Sequence, residues 1–383
     1  MDTAPFPSGT VSPPPPPPPV ITAPPPPKPR RGRGWMIFAI ILLVLLLISL
    51  FGNFAWVISQ ALNFKGGLSN GISRETGPFL DEYLLKDNDS EKKIAVITVD
   101  GIISDSLTDQ AGYNLVDVIR AQLERAKKDR RVKAVILKVD SPGGEVLASD
   151  EINRLLVKFQ QGANGKPVIC SMGSLAASGG YYISAPSRWI VANQLTLTGS
   201  IGVIMETINF RGLMDKIGVE PYVFKSGKYK DMLSGMRSTN EIPAGEHAMV
   251  QNLIDQTYDQ FKKVVATGRA DAHEKNRNEG RPLAPDWTQY ADGRVLSGAQ
   301  AYDLGFVDQL GDFQDAVNRA KQIANIQDAN LIEYRERYDI SNFLRLLGQT
   351  ELSHDVKLDL GMELPRLQAG EMYFLAPTFA NFN

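Results

Sequence analysis

Three short stretches carry the residue types from which a nucleophile, a base and a cradle for negative charge can be built. The first is Ser171-Met172-Gly173-Ser174-Leu175-Ala176-Ala177-Ser178-Gly179-Gly180-Tyr181-Tyr182, which follows an apolar run and is rich in small residues that let backbone or substrate approach closely. A serine near a helix start often does no more than cap it, and Ser171 and Ser174 read that way. Ser178 lies inside the apolar, glycine-flanked part of the stretch, where capping explains it less well, so it is the candidate nucleophile. The second stretch is Asp140-Ser141-Pro142-Gly143-Gly144, between a strand pattern and a helix pattern. Pro142 biases Ser141 away from the α region, and Gly143 and Gly144 can take positive φ and leave their N–H groups exposed. Such a turn can hold a negatively charged oxygen; taken alone, a plain strand-to-helix turn is the simpler reading. The third is Lys225-Ser226-Gly227-Lys228-Tyr229-Lys230-Asp231, either a source of a general base or a basic surface loop.

The chemistry open to these groups is acyl transfer. The only histidines, His247, His273 and His354, are far apart and fit no ligand spacing such as HExxH, so a histidine metal site is not expected and a histidine base has little local support. A lysine can serve instead. Its ordinary pKa of about 10.4 is too high for work near neutrality, but burial among apolar groups favours the neutral amine, which can take a serine proton and return it to a leaving amine. The lysine loop does not match GxxxxGK[ST], so nucleotide binding is not supported. The single cysteine, Cys170, rules out an intrachain disulfide and a multi-cysteine zinc site, and its apolar neighbours mark it as a buried small hydrophobe. Net charge is −2, which gives no general case for nucleic-acid binding.

The elements that must position these groups follow from periodicity. Ile94–Val99, Val132–Val139, Pro167–Ser171 and Arg188–Ala192 read as strands, and Pro221–Phe224 as a further strand before the lysine loop. Leu115–Arg130 and Glu145–Phe159 read as amphipathic helices, with Ala176–Ser184 a short third. Strands alternating with helices predict β-α-β units and a largely parallel sheet. In such folds sites gather where strands end and helices begin, which is where the serine and glycine stretches fall. A helix and a short strand are expected over residues 315–336.

Upstream, residues 1–34 hold 14 of the chain's 24 prolines and read as a proline-rich tail. Residues 35–58 are almost wholly apolar and long enough to cross a bilayer as a single helix. The run lacks a small-residue cleavage site, so it reads as an anchor rather than a cleaved leader. Lys28, Arg30, Arg31 and Arg33 before it place the tail in the cytoplasm and the rest outside. Residues 59–92 read as a juxtamembrane linker with one short helix, 93–325 as a single soluble domain, and 326–383 as a C-terminal extension that packs on the domain, binds its groove or stays flexible.

Several long matches in order, Asp140–Gly144, Ser171–Ser184, Asn193–Val203, Ser226–Asp231 and Ala291–Val295, make the run from Ile94 to about Asp312 resemble the signal peptide peptidase A family, also called protease IV. The resemblance implies a crotonase-like, Clp-protease-related α/β fold and a membrane-tethered Ser–Lys endopeptidase acting on leftover signal peptides and other membrane-associated peptides. It implies Ser178 as nucleophile and, of the three loop lysines, Lys230 as base. It places Gly143 and Gly144 in the oxyanion-binding region and Ser200 near the lysine it orients. An apolar groove with Met172, Leu175 and Ile201 in its lining is expected for apolar substrates. With room for one copy of the domain, the chain resembles the short form of the family. That form is a homo-octamer in which neighbouring subunits supply the serine and lysine of one site, in a bacterial inner or plasma membrane. No cofactor, metal or nucleic acid is expected. Two other readings stay open: a catalytically silent oligomeric scaffold for membrane proteins, and an acyl-coenzyme A-processing enzyme of the same broad fold.

Overall fold

The computed structural model describes residues 78–106, 113–336 and 372–375, together with the helical residues Phe38, Leu42, Leu43 and Leu46. The chain divides into two units, Met1–Glu75 and Thr76–Asn383. In the first unit the four described residues are exposed. The proline-rich tail and the rest of the expected membrane helix over 35–58 lie outside the described residues. Among the described residues no helix is long and apolar enough to cross a membrane.

The second unit is a mixed α/β domain. Its elements run β1 (Leu80–Lys86), β2 (Lys93–Ile103), α1 (Leu115–Lys128), β3 (Val132–Glu145), α2 (Val146–Gln160), β4 (Val168–Ala177), α3 (Gly179–Ser184), β5 (Trp189–Ala192) and β6 (Leu197–Gly199). They continue with α4 (Arg211–Ile217), α5 (Glu246–Lys275), β7 (Val295–Ser297), α6 (Gly298–Asp303), β8 (Gln309–Leu310), α7 (Phe313–Ile323), β9 (Asn330–Glu336) and β10 (Tyr373–Leu375). The main sheet order is β1-β9-β2-β3-β4-β5-β8, with β6 on β4 and β10 on β3. From β9 through β8 every neighbouring pair is parallel; β1 on β9, β7 on β6 and β10 on β3 are antiparallel.

Side chains on the central strands alternate between two cores. Ala95, Ile97, Val99, Val135, Leu137 and Val139 face one cluster with α1, α2, α3 and α5. Ile94, Val96, Ala134, Ile136, Ile169 and Val191 face the other, closed by Ala316, Val317 and Ala320 of α7. A sheet covered on both faces explains why these strands read as continuous apolar runs rather than alternating ones. α1 starts where the Asn114 side chain accepts a hydrogen bond from the Asp117 amide at 2.8 Å, and α7 starts in a capping box between Asp312 and Asp315.

Some local expectations are corrected. The described part of the linker, residues 78–92, holds strand β1 and no helix, because Leu80–Leu84 add to the free edge of β9, a partner far away in sequence; the rest of the linker lies outside the described residues. Pro221–Phe224 is not a strand: no element pairs with it among the described residues, and Phe224 is 96% exposed. The short helix begins at Gly179, because β4 continues to Ala177 through its pairing with β6. The glycine turn is the extended end of β3, held between Ile102–Ile103 on one side and β10 on the other.

Candidate active site

Ser178 is the hinge between β4 and α3. Its backbone has φ 55° and ψ −117°, a conformation that non-glycine residues seldom adopt and that costs about 1–3 kcal/mol. Two backbone bonds impose it: the Ser178 amide donates to the Gly199 carbonyl at 2.8 Å, and the Ser178 carbonyl accepts from the Tyr182 amide at 2.8 Å. The first bond follows from the register in which Ala177 faces Gly199. The residue is buried, and its Oγ has no hydrogen-bond partner among the described residues. A buried hydroxyl left unpaired costs about 1–3 kcal/mol, so strain and lost hydrogen bonding coincide on one side chain.

The glycine pair of β3 lies directly against this hinge. A Cβ on Gly179 would stand 2.7 Å from Ser149 Oγ and 3.1 Å from both the Gly143 Cα and the Gly144 amide nitrogen. One on Gly180 would stand 2.7 Å from the Ser141 carbonyl oxygen. Gly143–Gly144 and Gly179–Gly180 therefore touch backbone to backbone, a contact that side chains would prevent. Gly143 has φ 107°, and its N–H donates to Ser141 Oγ at 3.1 Å. That amide is thus already engaged, although the sequence placed both glycine amides on an oxyanion. The Gly179 amide was missed: it needs no motif of its own and becomes a candidate only once the two glycine pairs are seen in contact.

The surroundings brace this corner. Asp140 Oδ1 accepts from the Leu175 amide at 3.0 Å, where the β3–β4 register slips between Val139 and Ser141. Glu145 accepts hydrogen bonds from Ser104 Oγ, the Asp105 amide and Ser106 Oγ, tying the end of β2 to the end of β3. Burial alone would raise the Glu145 pKa, but these donors hold it below the ordinary glutamate value. Ser200 is buried with φ 49°, and its amide donates to the Arg294 carbonyl at 2.8 Å. It follows Gly199, so the two strained serines share one strand edge.

Lys230 is placed differently. It is exposed in a turn-rich segment, and since Ser178 Oγ has no partner among the described residues, no hydrogen bond joins the two within one chain. Lys225 is committed to Asp231 at 2.6 Å. Of the expected groove residues, Met172 and Ile201 are buried in the core, and Leu175 is half-buried. Among the described residues no cluster of side chains could hold a metal ion.

A mixed α/β domain with a buried serine at a strained strand-to-helix corner defines a hydrolase-like site. Residues 160–327 match peptidase family S49. A putative signal peptide peptidase SppA of Enterococcus faecium is 37% identical over 271 residues, covering 70% of this chain and 72% of that protein. A putative protease of Synechocystis is 39% identical over 265 residues, covering 69% and 86%. Protease 4 of Haemophilus influenzae is 33% identical over 297 residues, covering 74% of this chain and 45% of that longer protein. Among solved structures, a membrane-bound stomatin-specific protease overlaps at 17% identity with a TM-score of 0.34, too loose a likeness to build on. The chain belongs to peptidase family S49 and is a serine peptidase.

Proposed function

We propose that Ser178 is the nucleophile and Lys230 the general base of this peptidase, and that the two meet between subunits. The observation that carries the first half is the buried, unpartnered Ser178 hydroxyl on a strained corner beside two glycine pairs. Ser178 Oγ attacks the peptide carbonyl carbon while its proton passes to the neutral Lys230 amine. The negative charge on the former carbonyl oxygen falls to backbone amides of the glycine corner, assigned here to Gly144 and Gly179, the Gly143 amide being held by Ser141. Lys230 then protonates the leaving amine, the C–N bond breaks, and water, deprotonated by Lys230, hydrolyses the acyl-enzyme. Ser200, on the strand edge that holds Ser178, is assigned the orientation of the incoming lysine.

The exposed position of Lys230 supports a site shared between copies. Shortly before it in the chain, Leu213, Ile217, Tyr222, Val223 and Phe224 are all more than half exposed, and exposed apolar residues gathered in one segment fit an interaction surface. A homo-oligomer, an octamer on the family resemblance, covers this surface and brings the lysine to a neighbour's serine. The resemblance further supports a crotonase/Clp-like fold and a division into tail 1–34, anchor 35–58, linker 59–92, peptidase domain 93–325 and extension 326–383, the linker and extension lending β1 and β9 to the domain's sheet. On this reading the anchor holds the catalytic domain outside a bacterial membrane. Its substrates are leftover signal peptides and other membrane-associated peptides, as the name of the Enterococcus relative suggests.

The test is subunit mixing. Ser178→Ala and Lys230→Ala oligomers, each inactive on an apolar peptide reporter, are dissociated, mixed and reassembled. Regained cleavage supports the shared site; none in demonstrably mixed oligomers overturns it. No label on Ser178 by a serine-directed reagent, under conditions that preserve the oligomer, favours the silent-scaffold reading.

A further inference from the structure

We propose that Arg237 is a positioning residue for the lysine loop: through a buried ion cluster with Asp231 and Glu246 it fixes the loop that presents Lys230 to a neighbour's serine. The inference rests on the reading of Lys230 as general base and names what holds that base in place. Lys230 lies between α4 and α5, in a stretch whose backbone forms no strand and no α-helix. Exposed segments of this kind are the first to open, whereas a reacting group must be held within about 0.5 Å of its productive place. Asp231, next to Lys230, accepts from Lys225 Nζ on both carboxylate oxygens, at 2.7 and 2.6 Å, which closes the loop at its base. It also accepts from Arg237 Nη1 at 3.2 Å. Arg237 Nη2 in turn donates to both oxygens of Glu246, to Oε2 at 2.6 Å.

The cluster reaches from the loop to the body of the domain. The Arg237 and Glu246 side chains are 6% and 5% exposed. Glu246 opens α5, whose Phe261 and Val265 are buried in the core. Its Oε1 also accepts from the Leu233 amide at 3.1 Å, and Leu233 stands at φ 65°, in the left-handed region. Stability alone explains such a cluster poorly, because apolar residues of similar volume often stabilise as much as a buried ion pair or more. What the planar guanidinium adds is a fixed geometry between two carboxylates. Arg237 Nε is moreover buried with no hydrogen-bond partner among the described residues, a further cost of keeping this side chain here. The three loop lysines divide accordingly. Lys225 is committed to Asp231, Lys228 lies over the Tyr229 ring at 5.1 Å, and Lys230 makes no ion pair among the described residues. The loop is held, and one amine in it stays uncommitted.

Subunit mixing separates positioning from folding. In mixed oligomers the Ser178→Ala chains supply the lysine of each regained site and the Lys230→Ala chains supply the serine. Arg237→Ala added to the lysine-supplying chain is expected to cut the regained kcat about a hundredfold at unchanged KM, the scale for a reacting group displaced by about 1 Å. Added to the serine-supplying chain, it is expected to leave the regained cleavage as it was, since that chain's loop serves no complete site. Equal losses in both arms, or a loss in neither, overturn the proposal. Should Arg237→Ala prevent assembly, Asp231→Ala takes its place in both arms; it releases the loop and leaves Arg237 paired with Glu246. If the unmodified mixture regains nothing, the shared site has failed and homogeneous oligomers of the same variant decide. A kcat about a hundredfold lower at the parent's KM and oligomer size then supports the proposal, and any other result overturns it. Failure of the base assignment is distinct, because it shows as parent activity in Lys230→Ala alone.

Discussion

The Ser178 amide donates to the Gly199 carbonyl at 2.8 Å, and this bond holds Ser178 at φ 55°. The unusual backbone of Ser178 is thus imposed by a neighbouring strand together with the first bond of its own short helix, in which the Ser178 carbonyl accepts from the Tyr182 amide. If so, glycine should fit the corner better than serine. Ser178→Gly is expected to abolish peptide cleavage while leaving the domain at least as stable, by up to about 1 kcal/mol in chemical denaturation. Ser178→Ala, which keeps the Cβ at positive φ, should be equally inactive without that gain. A clear loss of stability in Ser178→Gly would contradict the account of strain.

The contact between the two glycine pairs makes Gly179 intolerant of a side chain. Gly179→Ala should destabilise the domain by about 1–3 kcal/mol, because its Cβ meets Ser149 Oγ at 2.7 Å and the Gly143–Gly144 backbone at 3.1 Å. The nearest of these obstacles is removable. Adding Ser149→Gly should recover part of the loss, visible as a non-additive double-mutant cycle in urea unfolding. Strict additivity would mean that Ser149 Oγ is not what the new Cβ meets.

Glu145 links pH to the integrity of the glycine corner. Its folded pKa is held below the ordinary value of 4.5 by Ser104, the Asp105 amide and Ser106, against the effect of burial. A depressed carboxylate contributes stability that is present above its unfolded pKa and lost as pH falls through the folded value. Other carboxylates, such as Asp129 and Glu246, shift the same way, so the contrast between parent and variant is what informs. Thermal midpoints of parent and Glu145→Gln should differ most near neutrality and converge below about pH 4. A constant difference across that range would remove Glu145 from this role.

Cys170 offers a reporter of global opening. Burial pushes its thiol pKa up to about 12, and its Sγ sits 3.3 Å from Ser184 Oγ inside the core. A thiolate-seeking alkylator should leave it untouched in the native protein and modify it at the rate of unfolding in denaturant. Rapid alkylation under native conditions would show that the core around α3 opens locally.

How much of this was legible in the sequence depends on the range of the interactions. The β2–α1–β3–α2–β4 run could be read because each element announces itself locally: Ile94–Val99 and Val132–Val139 by continuous apolarity, Leu115–Arg130 by helical spacing. The edges could not. β1 needs β9, and β10 needs Gly143–Glu145, partners that no local pattern names. Pro221–Phe224 has strand-like residues but no neighbouring strand, so composition misled. At the site, the glycine-flanked context singled out Ser178 and the glycine pair of β3. The Gly143 amide's engagement by Ser141 and the part played by Gly179 needed three dimensions. Lys230 is exposed and makes no hydrogen bond to Ser178 within one chain, so single-chain geometry does not join the two residues that the sequence paired.

The most direct measurement is labelling of the full-length, assembled protein with a peptidyl phosphonate that forms a covalent bond only with an activated serine, mapped by mass spectrometry. The account predicts a single adduct on Ser178, absent in Lys230→Ala although Ser178 is intact there. An adduct on another serine, or none on Ser178 in an oligomer that cleaves peptides, would contradict it.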